Sequence, residues 1–154
     1  MKFLLIDFRS SPTIGYIEYS SGSDLIFSEQ KDLNNIYEVL KSNQEDSCIV
    51  IDEFAGDEPF LSVSIKKLLD SKYKITTKDV TNAIKTIDMS GKVTSHLDRD
   101  KYNRLSTPIK ADIKCLQKYF KNNATWDLEK YLKLNNLNYK DYETLEAGLI
   151  LESK

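Results

Sequence analysis

Two runs of consecutive apolar residues, each followed by acids, constrain the fold of this chain most. Residues 3–6 precede Asp7, and residues 48–51 precede Asp52 and Glu53. Apolar runs without polar alternation are typical of strands that are covered on both faces. We therefore expect an α/β protein in which both runs are strands of one sheet, with helices packed on its faces.

The remaining pattern indicates an antiparallel meander followed by crossovers. Strands are expected at residues 2–8, 13–19, 25–27, 48–51 and 72–76. Helices are expected at residues 32–40, 60–69, 79–87, 108–120, 127–134 and 142–151, with a loop over residues 88–107. This order predicts a mixed five-stranded sheet, with three antiparallel strands and then parallel crossovers, and helices on both faces. A length of 154 residues fits one domain spanning 1–154.

Composition excludes several classes of protein. Hydrophobic residues make up 40% of the chain and charged residues 30%, which is ordinary for a globular domain. The apolar run near the start is too short for a signal peptide or for a membrane span, so no membrane partner is expected. Two cysteines are too few for a disulfide framework, which favours a reducing, cytoplasmic location inside the cell. With one histidine and no Cys-x-x-Cys pair, a zinc site is not expected.

The charge is distributed unevenly, although the net charge is only −2. Residues 1–65 carry 4 basic and 12 acidic side chains, whereas residues 66–121 carry 14 basic and 6 acidic ones. A basic segment of this kind can bind a polyanion even on an acidic protein; solvated lysines on helix surfaces are the alternative. The candidate nucleic-acid contacts are Lys78, Lys85, Lys92, Arg99, Lys101 and Arg104.

The acids form a candidate metal site. Asp7 and Asp52 (or its neighbour Glu53) follow the two apolar strands, and Glu143 and Glu146 are three residues apart on the predicted last helix. If the strands are neighbours and this helix packs across their ends, the carboxylates converge and need cations between them. Two Mg²⁺ ions, or Mn²⁺, would suit these ligands and could support phosphodiester cleavage. Capping of a following helix, or simple solvent exposure, is the alternative reading of each acid.

The element order and the acids resemble the RuvC-type Holliday junction resolvases of the RNase H-like superfamily, with YqgF-type members as near neighbours. The resemblance lies in Asp7 at the end of the first strand, the Gly15-Tyr16 pair in the second, residues 49–53, and residues 143–147. It implies an RNase H-like fold and a metal-dependent endonuclease that cuts branched DNA. It further implies catalysis by Asp7, Asp52 or Glu53, and the two glutamates, in a homodimer without a small-molecule cofactor.

Two alternatives follow from the same pattern. The first is a binding or adaptor module that has lost catalysis, which the acidic N-terminal part of the chain favours. The second is a YqgF-like RNA-processing nuclease, which would prefer RNA to branched DNA.

Overall fold

The computed structural model describes residues 1–54, 57–71, 75–79, 84–87, 89–90, 92–97, 102–135 and 149–150. These residues form a mixed α/β structure with four helices. Its elements are β1 (Lys2–Asp7), β2 (Thr13–Glu18), β3 (Ile26–Phe27), β4 (Lys31–Asp32), α1 (Ile36–Ser42), β5 (Ser47–Ile51), α2 (Glu58–Asp70), β6 (Ile75–Asp79), β7 (Ile84–Ile87), β8 (Val93–Leu97), β9 (Tyr102–Asp112), α3 (Ile113–Phe120), α4 (Leu128–Leu134) and β10 (Leu149–Ile150).

The main sheet is mixed, and β1 and β5 lie side by side within it. Its strand order is β10-β9-β5-β1-β2-β3, while β4 also pairs with β2 and β6 with β9. Strand β2 is antiparallel to both β1 and β3, and β5 is parallel to β1. The expectation of an α/β fold with a mixed sheet is therefore confirmed. The expected number of five strands is wrong, because β4, β9 and β10 also pair into the sheet and bring it to eight strands among the described residues. The strand on the other side of β5 is β9, which runs antiparallel to it where a parallel crossover was expected.

One face of the sheet packs against α2, and we call it the α2 face. Strand side chains point alternately to the two faces, so the odd-numbered residues of β1 and β5 point here. Asp57 caps the helix by accepting a hydrogen bond from the backbone nitrogen of Phe60 at 2.9 Å. The stripe of Leu61, Ile65 and Leu68 then lies buried against the sheet. Each such side chain contributes about 2 kcal/mol on burial.

The opposite face is covered by α1, α3 and α4, and we call it the aromatic face. The even-numbered residues of β1 and β5 point toward it. Its buried cluster includes Tyr119, Phe120 and Tyr131, with Trp126 packed against them. Helices therefore lie on both faces of the sheet, as expected, but the two faces differ in their side chains.

Two predicted helices begin later than their sequence pattern indicates. Helix α1 starts at Ile36, after Asn35 with a φ of 50°, and Asp32 pairs with Thr13 in the sheet instead of capping the helix. Asparagine adopts this left-handed conformation more readily than most residues. Helix α3 starts only at Ile113, because the preceding residues belong to β9 and pair with β5.

The segment between α2 and α3 differs most from expectation. Ile84–Ile87 is a strand and not the end of a helix, and it pairs with Val93–Leu97, which lies in the predicted loop. Threonines and isoleucines in these stretches favour extended structure once a partner strand is present. The predicted helix at residues 142–151 lies outside the described residues, except for Leu149–Ile150, which forms a strand parallel to β9.

In the part of the chain that the structure describes, no helix combines the length and the apolar character that crossing a bilayer requires.

Candidate functional site

The ends of β1 and β5 bring two of the predicted site residues to one edge of the sheet. The strands are parallel, with Asp7 in register with Ile51, and the backbone nitrogen of Phe8 donates to the Ile51 carbonyl at 2.7 Å. Asp52 follows directly. One condition for the predicted metal site, that the two apolar strands are neighbours, is therefore met.

The two acids nevertheless face opposite sides of the sheet. Asp7 continues the odd-numbered row of β1 that packs against α2, and its partner Arg9 binds that helix. Asp52 continues the even-numbered row of β5, and its carboxylate accepts a hydrogen bond from Trp126 on the aromatic face. A register offset of one residue is sufficient for this separation, because side chains alternate along a strand.

Asp7 is neutralised by a neighbouring cation. The Arg9 side chain donates from Nε to both carboxylate oxygens at 3.1 Å and from a terminal nitrogen to Oδ2 at 2.8 Å. The Arg9 backbone nitrogen also donates to Oδ1 at 2.9 Å. The hydrogen bond to Asp7 is the largest cause of the raised pKa of the Arg9 guanidinium, and Glu58 adds to it at 3.0 Å. This carboxylate is thus held in a structural ion pair.

Asp52 is held by uncharged donors instead. The Trp126 indole nitrogen donates to Oδ2 at 2.7 Å. The Thr107 hydroxyl lies 2.9 Å from Oδ1 and 2.9 Å from the Glu53 carbonyl oxygen, so these two acceptors share its one proton. The same Thr107 oxygen accepts from the backbone nitrogens of Asp52 and Glu53, at 3.0 and 3.2 Å. Thr107 is almost completely buried, at 1% exposure. It therefore positions the backbone and the side chain at the end of β5 together.

A cavity of about 600 Å³ lies beside Asp52 on the aromatic face, and we call it the aromatic pocket. Its lining residues are Phe8, Pro12, Leu33, Asn35, Ile36, Tyr37, Asp52, Phe120, Asn123, Ala124, Thr125 and Trp126. Cavities that bind small molecules typically measure roughly 300–1,000 Å³. The aromatic pocket is therefore large enough to enclose a small organic group.

Three stacked rings make one wall of the aromatic pocket. Phe8 and Trp126 are nearly parallel, with centroids 5.6 Å apart, and Phe120 lies 6.1 Å from Trp126. The buried Tyr119 supports this wall by donating its hydroxyl to the Thr125 carbonyl at 2.6 Å, which anchors the loop that carries the tryptophan. Burial raises the pKa of the Tyr119 hydroxyl above its ordinary value of 10.0.

The pocket combines apolar surface with one charge. Among the described residues that line it, Asp52 is the one with a formal charge, and the polar groups of Asn35, Asn123 and Thr125 add neutral donors and acceptors. Such a lining suits a ligand with an apolar or aromatic body and a polar group directed at the carboxylate.

The other predicted metal ligands do not complete a metal site among the described residues. Glu53 is exposed beside Asp52, and Glu143 and Glu146 lie outside the described residues. Within the described ranges, no group of three or more histidines, cysteines and acids is arranged to hold a metal ion. The pairing of Asp7 with Arg9 also places a cation where a metal ion would bind, so the described residues alone do not fit a two-metal site.

The predicted nucleic-acid contacts are spread over several strands. Lys78 and Arg104 are register partners on β6 and β9, and Lys85 lies on β7 opposite His96. Lys92 is exposed just before β8, whereas Arg99 and Lys101 lie outside the described residues. Nothing in the described part of the chain tests their binding to DNA.

Sequence reasoning missed Thr107 and Trp126. Trp126 is the single tryptophan of the chain and follows a polar stretch, which is an unusual setting for the largest side chain. That signal could have marked it as a candidate. Thr107 carries no such signal, because its role depends on the pairing of β9 beside β5.

Comparison with known proteins finds similarity to solved structures. No protein-family model and no curated protein matches the chain. Among solved structures, it is similar to 4-diphosphocytidyl-2C-methyl-D-erythritol synthase from Anaerococcus prevotii, with 23% identity and a TM-score of 0.44. The match covers 77% of this chain and 55% of that protein, so the chain spans about half of its length.

The predicted resemblance to RuvC-type resolvases and YqgF-type relatives is wrong. A solved structure to which the chain is similar is named as a synthase and not as a nuclease. The antiparallel pairing of β9 with β5 agrees with this correction, since a parallel crossover was expected there. The sequence motifs misled because an acid after an apolar strand is common to many α/β sheets.

Proposed function

We propose that this chain is a binding domain whose site is the aromatic pocket. One observation carries the proposal: a cavity of about 600 Å³ with a wall of stacked rings and, among its described lining residues, one firmly held carboxylate. Apolar surface would supply the affinity for a ligand, and the few polar groups would orient it. A binding domain corresponds to the binding or adaptor alternative that the sequence suggested, and the proposal adds a specific site to it.

The hydrogen bonds at the strand ends support binding over catalysis. The Asp7 charge is balanced by Arg9, and both oxygens of Asp52 already have donors in Thr107 and Trp126. Groups held this firmly are suited to positioning a ligand, since a preorganised site loses little conformational freedom on binding.

The indole nitrogen of Trp126 provides a direct test. In a ¹H–¹⁵N spectrum the single tryptophan gives one indole resonance, so a panel of small monocyclic aromatic compounds can be screened against it. We expect some of these compounds to shift the resonance in the intact chain. Ile36→Phe, which adds a ring at a residue that lines the pocket, should abolish the shifts.

The matched control is Val63→Phe, which makes a similar change at an exposed position on α2. It should leave the shifts as they are in the unmodified chain. If no compound moves the indole resonance at millimolar concentration, or if Ile36→Phe has no more effect than the control, the aromatic pocket is not a binding site.

A metal-dependent nuclease acting on branched DNA is the second candidate function. The observation that favours it is the position of Asp7 and Asp52 at the ends of neighbouring parallel strands, the edge at which α/β sheets commonly bind ligands. Mg²⁺ or Mn²⁺, the last-helix glutamates and a homodimer stay predictions of this candidate. It ranks second because Arg9 occupies the Asp7 carboxylate.

Cleavage assays decide the second candidate. A four-way junction, a flap, a duplex and single-stranded RNA would be incubated with the chain in Mg²⁺ and in Mn²⁺. The nuclease predicts junction cleavage that is lost in Asp7→Asn and kept in Asp24→Asn, which changes a fully exposed acid. Cleavage that survives Asp7→Asn, or an absence of cleavage by the folded chain, would contradict it.

A further inference from the structure

The aromatic pocket carries a charge whose described partners are all neutral. The hydrogen-bond donors to Asp52 are the Thr107 hydroxyl and the Trp126 indole nitrogen, and neither brings a positive charge. By contrast, Arg9 binds the Asp7 carboxylate at the neighbouring strand end directly. The formal negative charge of Asp52 therefore lies at the pocket without a described cation beside it.

We propose that the ligand of the aromatic pocket is a small organic cation, an ammonium group on an apolar or aromatic body. This inference rests on the proposed binding function. The ammonium would pair with Asp52, and the body would pack against the rings of Phe8, Phe120 and Trp126.

The hydrogen-bonding capacity of Asp52 supports this choice. A carboxylate offers roughly four acceptor positions on its two oxygens. Trp126 occupies one of them and Thr107 another, so each oxygen can accept one more hydrogen bond. An ammonium group supplies three donors and a positive charge, which matches both the acceptor capacity and the sign of the site.

The aromatic wall favours the same ligand class. Tryptophan is the best of the aromatic side chains at attracting a nearby cation, through the negative potential of its ring face. Most of the described lining residues belong to the acidic first 65 residues of the chain, and none of those described is a basic side chain from residues 66–121. An anionic ligand would meet a carboxylate without a compensating positive charge among the described lining residues.

Three probes with one ring but different charge test the inference. They are 2-phenylethylamine, a cation at neutral pH, the neutral 2-phenylethanol, and the anion phenylacetate. Binding would be followed by the fluorescence of Trp126, the single tryptophan, in the full chain. We expect the amine to bind about tenfold more tightly than the alcohol, as a partly screened ion pair allows, and phenylacetate to bind most weakly.

The charge of Asp52 is tested by an isosteric change. Asp52→Asn should bring the ratio of the alcohol dissociation constant to the amine dissociation constant from about ten to about one. Asp24→Asn, an exposed acid away from the pocket, should leave the ratio unchanged. If Asp52→Asn does not fold, added salt provides a second measurement on the unmodified chain, because it should weaken binding of the amine and not of the alcohol.

The outcomes separate this inference from the function on which it rests. If none of the three probes changes the fluorescence, the proposed binding function fails. If the alcohol or phenylacetate binds as tightly as the amine, or if the preference survives Asp52→Asn, the pocket binds ligands but the cation inference is wrong.

Discussion

The two faces of the sheet each hold an aspartate carboxylate at a strand end, but with different partners. On the α2 face, Asp7 is enclosed by an arginine and lies above an aliphatic cluster. On the aromatic face, Asp52 is held by a tryptophan and a threonine and lies beside a cavity. A carboxylate at the end of a strand must be compensated wherever it is buried, and the kind of compensation decides whether the group is available to a ligand.

The largest difference between the faces should appear when an aromatic ring is removed from each. Trp126→Ala removes part of the stacked wall and leaves Oδ2 of Asp52 without its indole donor, which should lower the free energy of unfolding by about 3 kcal/mol. Phe60→Ala on the α2 face removes an exposed ring and should cost about 0.5 kcal/mol. Urea unfolding followed by circular dichroism measures both, and equal losses would contradict the comparison.

Removal of the Thr107 hydroxyl tests how Asp52 is held. Thr107→Val keeps the shape of the side chain but leaves the backbone nitrogens of Asp52 and Glu53 without their acceptor, at a cost of about 2 kcal/mol. Thr13→Val is the matched control, because its hydroxyl bonds to Gln30 at the surface; its cost should stay near 0.5 kcal/mol. Equal unfolding midpoints for the two variants would contradict the role of the Thr107 hydroxyl in holding Asp52.

Removal of the arginine tests how Asp7 is held. Arg9→Gln leaves the largely buried Asp7 carboxylate without its cation and should cost about 1.5 kcal/mol of unfolding free energy. In the double variant with Asp7→Asn, part of this loss should be recovered, because the unpaired charge is gone. A double-mutant cycle on the urea midpoints gives the coupling, and additive losses would show that the pair does not stabilise the fold.

The smallest effect concerns the tyrosines of the aromatic face at high pH. Burial raises the pKa of Tyr131 above its ordinary value of 10.0, so the folded chain keeps the proton while the unfolded chain loses it. The contribution of Tyr131 to the free energy of unfolding is therefore complete below pH 10 and falls as the pH rises further, by about 1 kcal/mol near pH 11. Urea midpoints between pH 8 and 11 should decline less in Tyr131→Phe; an identical decline would contradict this origin.

The parts of the fold that were predictable have local causes. Strands β1 and β5 follow from uninterrupted apolar runs, and α2 follows from its apolar stripe and the cap at Asp57. The segments that were mistaken are those in which pairing decided the structure. Residues 108–112 resemble the start of a helix, but their backbone bonds to β5 extend them into β9.

The sequence by itself determined that two apolar strands end in acids and that the chain forms an α/β sheet covered on both faces. The tertiary structure alone decided that the two acids face opposite sides of the sheet. Asp7 pairs with an arginine two residues away, whereas Asp52 accepts a hydrogen bond from Trp126, 74 positions further along the chain. Asp52 lies one register position beyond Asp7, and side chains at successive register positions point to opposite faces of the sheet. The register between the two strands is set by their pairing and cannot be inferred from either segment alone. The pocket beside Asp52 is therefore a property of the assembled sheet.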